Sequence, residues 1–267
     1  MKPRVLTYDI AGDGDPLVLV PGGLTGWLSW IPHQERLSDR YRVIRVQPIH
    51  NELGTAGKAG DPSYTRDTER ESLLLTLDEL EIERSHFAGW SRGGKALIDF
   101  TAVHPGRVIS LTLVEPAAYW ILEELGETDF VLERLIRHIH RMAGATVTED
   151  DLAAFLSSAG FADDPGRARE GPYWDRALPH RMALSWASDE SMGSDFSVAD
   201  VATIRCPVLL TRGTRTERWE RRVVEILGTH IPDVRVAEFE GGHAHHIESL
   251  EPFLVELDTH LRARQAV

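Results

Sequence analysis

The 267-residue chain has one cysteine, Cys206. That excludes an intramolecular disulfide framework and a multi-cysteine zinc site. Long apolar runs are missing too. No stretch is long enough to span a bilayer, and the start, Met1-Lys2-Pro3-Arg4-Val5, has no apolar signal core. The expected compartment is the cytoplasm. Basic residues are few beside acidic ones, 29 Lys and Arg against 42 Asp and Glu, for a net charge of −13. A field of that sign disfavours nucleic acid and an anionic membrane as partners. Internal repeats and low-complexity tracts are absent. The remaining composition is that of a globular protein with one large α/β domain or two small ones.

What stands out is Phe87-Ala88-Gly89-Trp90-Ser91-Arg92-Gly93-Gly94, in which Gly89 to Gly93 fits G-x-S-x-G. The apolar run His86-Phe87-Ala88 can finish a buried strand, and Lys95 to Phe100 has helical character. A serine at such a strand-to-helix turn is held in a strained conformation with its hydroxyl exposed. The flanking glycines fit this, because a Cβ there would clash with a neighbouring strand or helix. The N–H groups at the helix start favour negative charge beside the serine. The competing reading is a glycine-rich turn with an ordinary serine.

The rest of the chain alternates. Val5–Tyr8 reads as a short strand and Gly12–Pro16 as a turn. Leu17–Val20 is a continuous apolar run, as in a strand buried on both faces. It ends in Pro21-Gly22-Gly23-Leu24, where two glycines allow close backbone approach. A helix follows over Trp27–Leu37, a strand over Tyr41–Val46, and a loop without clear period over Gln47–Thr65. Thr65–Leu80 is helical, with Leu73, Leu74, Leu77 and Leu80 on one face. Ile82–Ala88 leads to the serine turn, Arg92–Val103 is the next helix, and Val108–Val114 is a strand ending at Glu115. From Ala117 to about Val201 only helices are expected. Alternation returns with a strand over Cys206–Thr211, a helix near Trp219–Leu227, a strand over Val234–Phe239, the loop Glu240–His246 and a last helix over Leu250–Ala263. This order calls for a mostly parallel sheet flanked by helices. The expected organisation is a core domain of residues 1–116 and 202–267 and a helical cap domain of residues 117–201.

A serine nucleophile needs a base, an acidic residue to orient the base, and donors for the oxyanion. The G-x-S-x-G turn, the Pro21-Gly22-Gly23 loop, the helical insert and the late Gly242-His243 resemble the α/β-hydrolase superfamily over nearly the whole chain, least in the insert. The resemblance implies Ser91 as nucleophile and His243 as general base. His245 and His246 are rivals for that role; Gly241-Gly242-His243 with the downstream Glu248 and Pro252 favours His243. The two rivals otherwise read as a polar rim. Three close histidines also suggest a metal site, but no carboxylate or cysteine pattern completes one, so no metal and no cofactor are expected. The implied oxyanion donors are the backbone N–H groups of Arg92 and Gly23.

The acid is the open position. The superfamily usually places an Asp three residues after a glycine that follows the strand near Val208, and here Gly213 is followed by Thr214-Arg215-Thr216. Glu217 comes one residue late and also reads as the acidic first turn of a helix. Glu115, 24 residues after Ser91, ends a strand at the sheet edge where catalytic groups gather. Glu115 is favoured and Glu217 is the alternative. A strand-end acid after the nucleophile helix, the Val20-Pro21-Gly22-Gly23-Leu24 loop and a tryptophan-bearing cap are similar to the zearalenone lactonases. That similarity implies an apolar ester or lactone substrate, with Leu24, Trp174 and Trp186 as candidate substrate contacts. The alternatives are a carbon–carbon bond hydrolase of ring-cleavage diketones and a non-catalytic hydrolase-fold ligand receptor. The oligomeric state is left open, with a homodimer among the options.

Overall fold

Leu17, Val18 and Leu19 are fully buried, because the strand they form lies in the middle of a sheet covered on both faces. The structure, a computed structural model, describes residues 1–263. The strands are β1 (Thr7–Ala11), β2 (Asp15–Val20), β3 (Tyr41–Gln47), β4 (Ser85–Trp90), β5 (Val108–Val114), β6 (Val208–Gly213) and β7 (Val234–Phe239). They form one sheet in the order β1-β3-β2-β4-β5-β6-β7. β1 runs antiparallel to β3, and every other pair is parallel. This is the α/β-hydrolase fold expected from the sequence.

The topology determines where a site can form. The chain leaves β2 toward β3 on one side, then returns to place β4 on the other side of β2. At such a switch point the C-terminal strand ends open a crevice. Val20 of β2 pairs with Gly89 of β4, so the loop Pro21–Gly23 and the Ser91 turn emerge side by side. Trp90 of β4 pairs with Val114 of β5, which brings Glu115 up beside Ser91.

Between β5 and β6 the elements among the described residues are all helices. The longer pieces are Phe130–Met142, Glu149–Ser158 and the 3-10 stretch Leu178–Trp186. Met142, Val147, Leu152, Leu156, Met182 and Leu184 pack into a small core of their own. Helix ends match their capping chemistry: Thr148 accepts from the Asp151 N–H and Asp129 from the N–H groups of Val131 and Leu132.

The segment Gln47–Thr65 departs from the expected loop. Ile49–Thr55 is a helix, and its partner is the insert. A Cβ on Gly54 would lie 2.4 Å from the Ala183 backbone, so the two segments touch main chain to main chain. Thr55 meets His180 at 2.8 Å, the Gly60 N–H donates to Ser185 Oγ at 2.9 Å, and Trp186 Nε1 donates to the Lys58 carbonyl at 3.0 Å. The segment is the seam between sheet and insert, and packing rather than intrinsic periodicity makes it helical.

Close packing at the serine turn is demanding. A Cβ on Gly93 would lie 2.4 Å from the carbonyl oxygens of both Val20 and Pro21. Backbone cannot move aside as a side chain can. Gly93→Ala is therefore expected to destabilise the protein by about 1–3 kcal/mol, as overpacking does. Thermal or denaturant unfolding reads this, and an unchanged midpoint would contradict it.

Candidate active site

Ser91 stands between β4 and the helix Arg92–Val103 with φ 54° and ψ −118°. L-residues rarely adopt that conformation, which costs on the order of 1–3 kcal/mol. Three backbone hydrogen bonds hold it. The Ser91 N–H donates to the Val114 carbonyl at 2.9 Å, and the Ser91 carbonyl accepts from Lys95 and Ala117, each at 3.0 Å. Gly89 and Gly93 supply the room that the sequence demands: a Cβ on Gly89 would press on Leu97 and on Gly93 itself.

Ser91 and His243 line one cavity. The His243 loop is fixed from several sides. Trp90 Nε1 donates to the His243 carbonyl at 2.8 Å, and the Gly242 N–H donates to Glu248 Oε2 at 3.1 Å. Glu248 also accepts from the Tyr173 hydroxyl of the insert at 3.0 Å. The downstream glutamate singled out in the sequence thus ties this loop to the insert. Trp90 itself both supports the loop and reaches the cavity wall.

His243 Nδ1 lies 2.8 Å from Glu115 Oε2. Glu115 is buried, has φ 38°, and accepts at Oε1 from the Gly213 N–H at 2.7 Å and from the Thr216 hydroxyl. Burial alone would raise its pKa, but the His243 contact and these donors lower it, so it stays a carboxylate. Glu217 lies elsewhere. It is the N-cap of the helix Arg218–His230 and packs on Gly160 of the insert. Glu220, one helical turn into that helix, is the residue that approaches His243, with Oε1 2.7 Å from the same Nδ1. Burial pushes Glu220 up to about 7, and the nearby Glu115 charge adds to that. For His243, burial lowers the pKa, but the two carboxylates outweigh it and push it up to about 10.

Sequence reasoning missed Glu220, yet a signal was present. Glu220, Val223, Val224 and Leu227 fall at the i, i+3, i+4, i+7 spacing of a buried helical face, and all four are buried. A glutamate on an apolar stripe requires an explanation. Among the described residues, Glu115, Glu220 and His243 are also the one group whose His and carboxylate atoms cluster within 4.8 Å. Within it, His243 hydrogen-bonds Glu115 and pairs by charge with Glu220.

The other histidines are a correction. His245 and His246 are fully buried rather than a polar rim. His245 Nε2 meets Thr211 Oγ1 at 2.9 Å and its ring stacks on Phe239. His246 sits among Trp30, His33, Trp90 and Phe253, with neither ring nitrogen hydrogen-bonded. Burial holds it well below the ordinary histidine range and brings His33 down to about 3. Neutral imidazoles behave as aromatic core here.

Gly23 lies against Arg92: a Cβ on Gly23 would be 3.4 Å from Arg92 Cδ. Arg92 opens its helix, so its N–H has no acceptor within that helix. The Arg92 guanidinium turns away, 3.5 Å from Glu69, over the Tyr64 ring and toward the Trp186 carbonyl at 3.4 Å. His50 is buried in the same cluster, 3.1 Å from the Tyr64 hydroxyl. Of the three candidate substrate contacts, Leu24 lines the cavity. Trp186 instead packs edge-on to Tyr64 at the seam, and Trp174 packs on the insert's own core beside Arg169. The aromatic wall comes from Trp90, Tyr119, Phe155, Phe161, Tyr173 and Trp219.

A strained serine at a switch point, sharing a cavity with a histidine backed by a buried carboxylate, is the arrangement of a nucleophilic hydrolase. The chain belongs to the alpha/beta hydrolase family, whose model matches residues 17–255. It is an enzyme, a hydrolase of that family. It is 27% identical over 254 residues to a putative carbamate hydrolase, RutD, of Stutzerimonas stutzeri (strain A1501), covering 92% of this chain and 91% of that one. It is 35% identical over 112 residues to the dihydrolipoyllysine-residue acetyltransferase component of the acetoin cleaving system of Pseudomonas putida, covering 41% of this chain and 29% of that protein. The enol-lactonase structure from Burkholderia xenovorans LB400 superposes with a TM-score of 0.70 at 22% identity, over 96% of both chains. At that identity the likeness is one of fold. Among the described residues no helix is long and apolar enough to cross a membrane.

The buried histidines give a stability prediction. His33 and His246 are held neutral in the fold, so the unfolded chain binds more protons. Their contribution is complete above about pH 6.5 and is lost as pH falls below it, toward about 3 for His33, by at most about 1.4 kcal/mol per pH unit each. His246→Phe keeps the ring packing and removes the group that protonates. Urea unfolding at pH 7 and pH 5 is expected to show a smaller loss for the variant than for wild type. Equal losses would contradict the assignment.

Proposed function

We propose that this hydrolase cleaves an apolar ester or lactone through Ser91, His243 and Glu115. The observation that carries the reading is that Ser91, in its strained turn, opens into the same cavity as His243, whose Nδ1 faces a buried carboxylate. With Nδ1 committed to Glu115, the other ring nitrogen is the base that takes the Ser91 proton. Ser91 attacks the carbonyl, and the N–H groups of Gly23 and Arg92 hold the oxyanion. Glu115 keeps the required tautomer and stabilises the imidazolium. The histidine returns its proton to the leaving alcohol. Water, activated by the same imidazole, then releases the acid.

The cavity supports an apolar acyl or ring system. It encloses, with its mouth, about 1230 Å³. Leu24, Ile139, Phe155, Phe161 and Met192 contribute much of its wall, reaching it from the sheet side and the insert. We take the helical segment 117–201 as a cap domain that closes over a core of residues 1–116 and 202–267. The substrate this reading favours is a macrocyclic lactone of the zearalenone type. The likeness to an enol-lactonase fold and the carbamate-hydrolase relative are in keeping with acyl chemistry on a carbonyl. One observation favours the second reading, a carbon–carbon hydrolase of diketone acids: Arg176 on the cavity wall is a cation that a substrate carboxylate could meet.

The test is consumption of zearalenone by the purified protein, followed by mass spectrometry, beside a panel of aryl esters and diketone acids. Lactone turnover that Ser91→Ala lowers by about 10⁴-fold or more is expected. Glu217→Ala is expected to retain full activity. Turnover of diketone acids alone would move the assignment to the second reading, and undiminished turnover in Ser91→Ala would overturn both.

A further inference from the structure

We propose that Glu220 is a second positioning residue for His243, so that the base rests on two carboxylates delivered by different elements. The inference builds on the reading of Ser91 and His243 as nucleophile and base. Glu115 comes from the end of β5 and Glu220 from the helix after β6, and their oxygens lie 2.8 and 2.7 Å from the same Nδ1. The nitrogen hydrogen-bonds Glu115, and Glu220 stands at ion-pair distance from it on a second side.

The two carboxylates are not equivalent. Glu115 is saturated with donors from Gly213, Thr216 and His243. Glu220 is just as buried, but its Oε2 has no hydrogen-bond partner. A carboxylate placed this way costs stability, and an apolar side chain would suit the stripe of Val223, Val224 and Leu227 better. A local rule broken beside a catalytic group points to function. Glu220 also lines the cavity, which places it beside both the base and the substrate space.

The surrounding charges agree. Glu220 faces His243 and Glu115 directly, with Glu217 on the preceding turn and His245 behind Glu115. Tyr119, Tyr173 and Arg176 also line the cavity, while the Arg92 guanidinium is engaged by Glu69 and Tyr64. Two ionised carboxylates beside a neutral imidazole repel each other, so Glu220, raised to about 7, is the one that carries a proton first. When the imidazole is charged, both carboxylates favour it. The consequence is a base that holds its proton to higher pH than one carboxylate would allow. Since His243 must be neutral to accept the serine proton, the acidic limb of kcat/KM shifts upward.

The experiment uses 4-nitrophenyl butyrate with the full chain and the variants Glu115→Gln, Glu220→Gln, Glu220→Asp, the double Gln variant and Ser91→Ala. Its readouts are the pH profile of kcat/KM and, without substrate, an NMR titration of the His243 imidazole. In a triad with a sole acid, replacing that acid by its amide costs about 10⁴-fold. Here Glu115→Gln is expected to cost about 10²-fold, Glu220→Gln about 10-fold, and the double variant the full 10⁴-fold, more than the product of the two. Glu220→Gln is also expected to move the acidic limb and the imidazole titration down by about one pH unit or more, while Glu220→Asp retains most of the upward shift. The proposal is overturned by an unchanged profile and titration in Glu220→Gln, or by Glu115→Gln already at the level of the double variant. Hydrolysis undiminished in Ser91→Ala would instead overturn the serine reading beneath it.

Discussion

Strand β4 passes into its helix through a single residue, and that residue is Ser91 at φ 54°. The turn is tight enough that glycine is required two residues before and two after it. Strain of this kind persists only where neighbours over-determine it. Here β5 accepts the Ser91 N–H, the helix Arg92–Val103 and Ala117 bond its carbonyl, and the Val20 and Pro21 carbonyls pack against Gly93. The same contacts bring Glu115, Gly23 and Arg92 to one corner of the sheet. Site geometry is therefore a consequence of closing this turn at the point where the strand order reverses.

The insert is bound to that corner by polar and apolar contacts together. Tyr173 reaches Glu248, which holds the His243 loop, and Trp186 reaches Lys58 and packs on Tyr64. Arg92 joins the two systems. The stem of its side chain lies against Gly23, while its guanidinium is buried with Glu69, Tyr64 and the Trp186 carbonyl. Burial of an unpaired cation would be costly, and Glu69, held low by His50 and Arg92 against the effect of burial, compensates it. Cavity shape is thereby linked to the helix Arg92–Val103.

Much of this was legible in the sequence where local chemistry dictates structure. Apolar runs of strand length gave the parallel sheet, and Gly89 and Gly93 around Ser91 gave the turn. Glu115 could be singled out because strand ends gather at one edge. Features that depend on distant partners were less legible. Ile49–Thr55 contains a glycine and few apolar positions, and it is helical against His180 and Ala183, far away in the chain. His245 and His246 look polar as letters but are aromatic core in place. Trp174 and Trp186 satisfy the insert and the seam, where their size is better used than on the cavity wall. Glu220 was concealed by Glu217, the nearer match to a spacing rule. The apolar stripe it interrupts was the more physical clue.

If Ser91 is a nucleophile activated by His243, it reacts with electrophiles that ordinary serines ignore. The most direct measurement is intact-protein and peptide mass spectrometry after reaction with a fluorophosphonate ester, which traps an activated serine without any assumption about substrate. One adduct per chain is expected, located on Ser91 and lost in His243→Ala. Absence of an adduct on the folded wild-type protein, or an adduct on another residue, would contradict it.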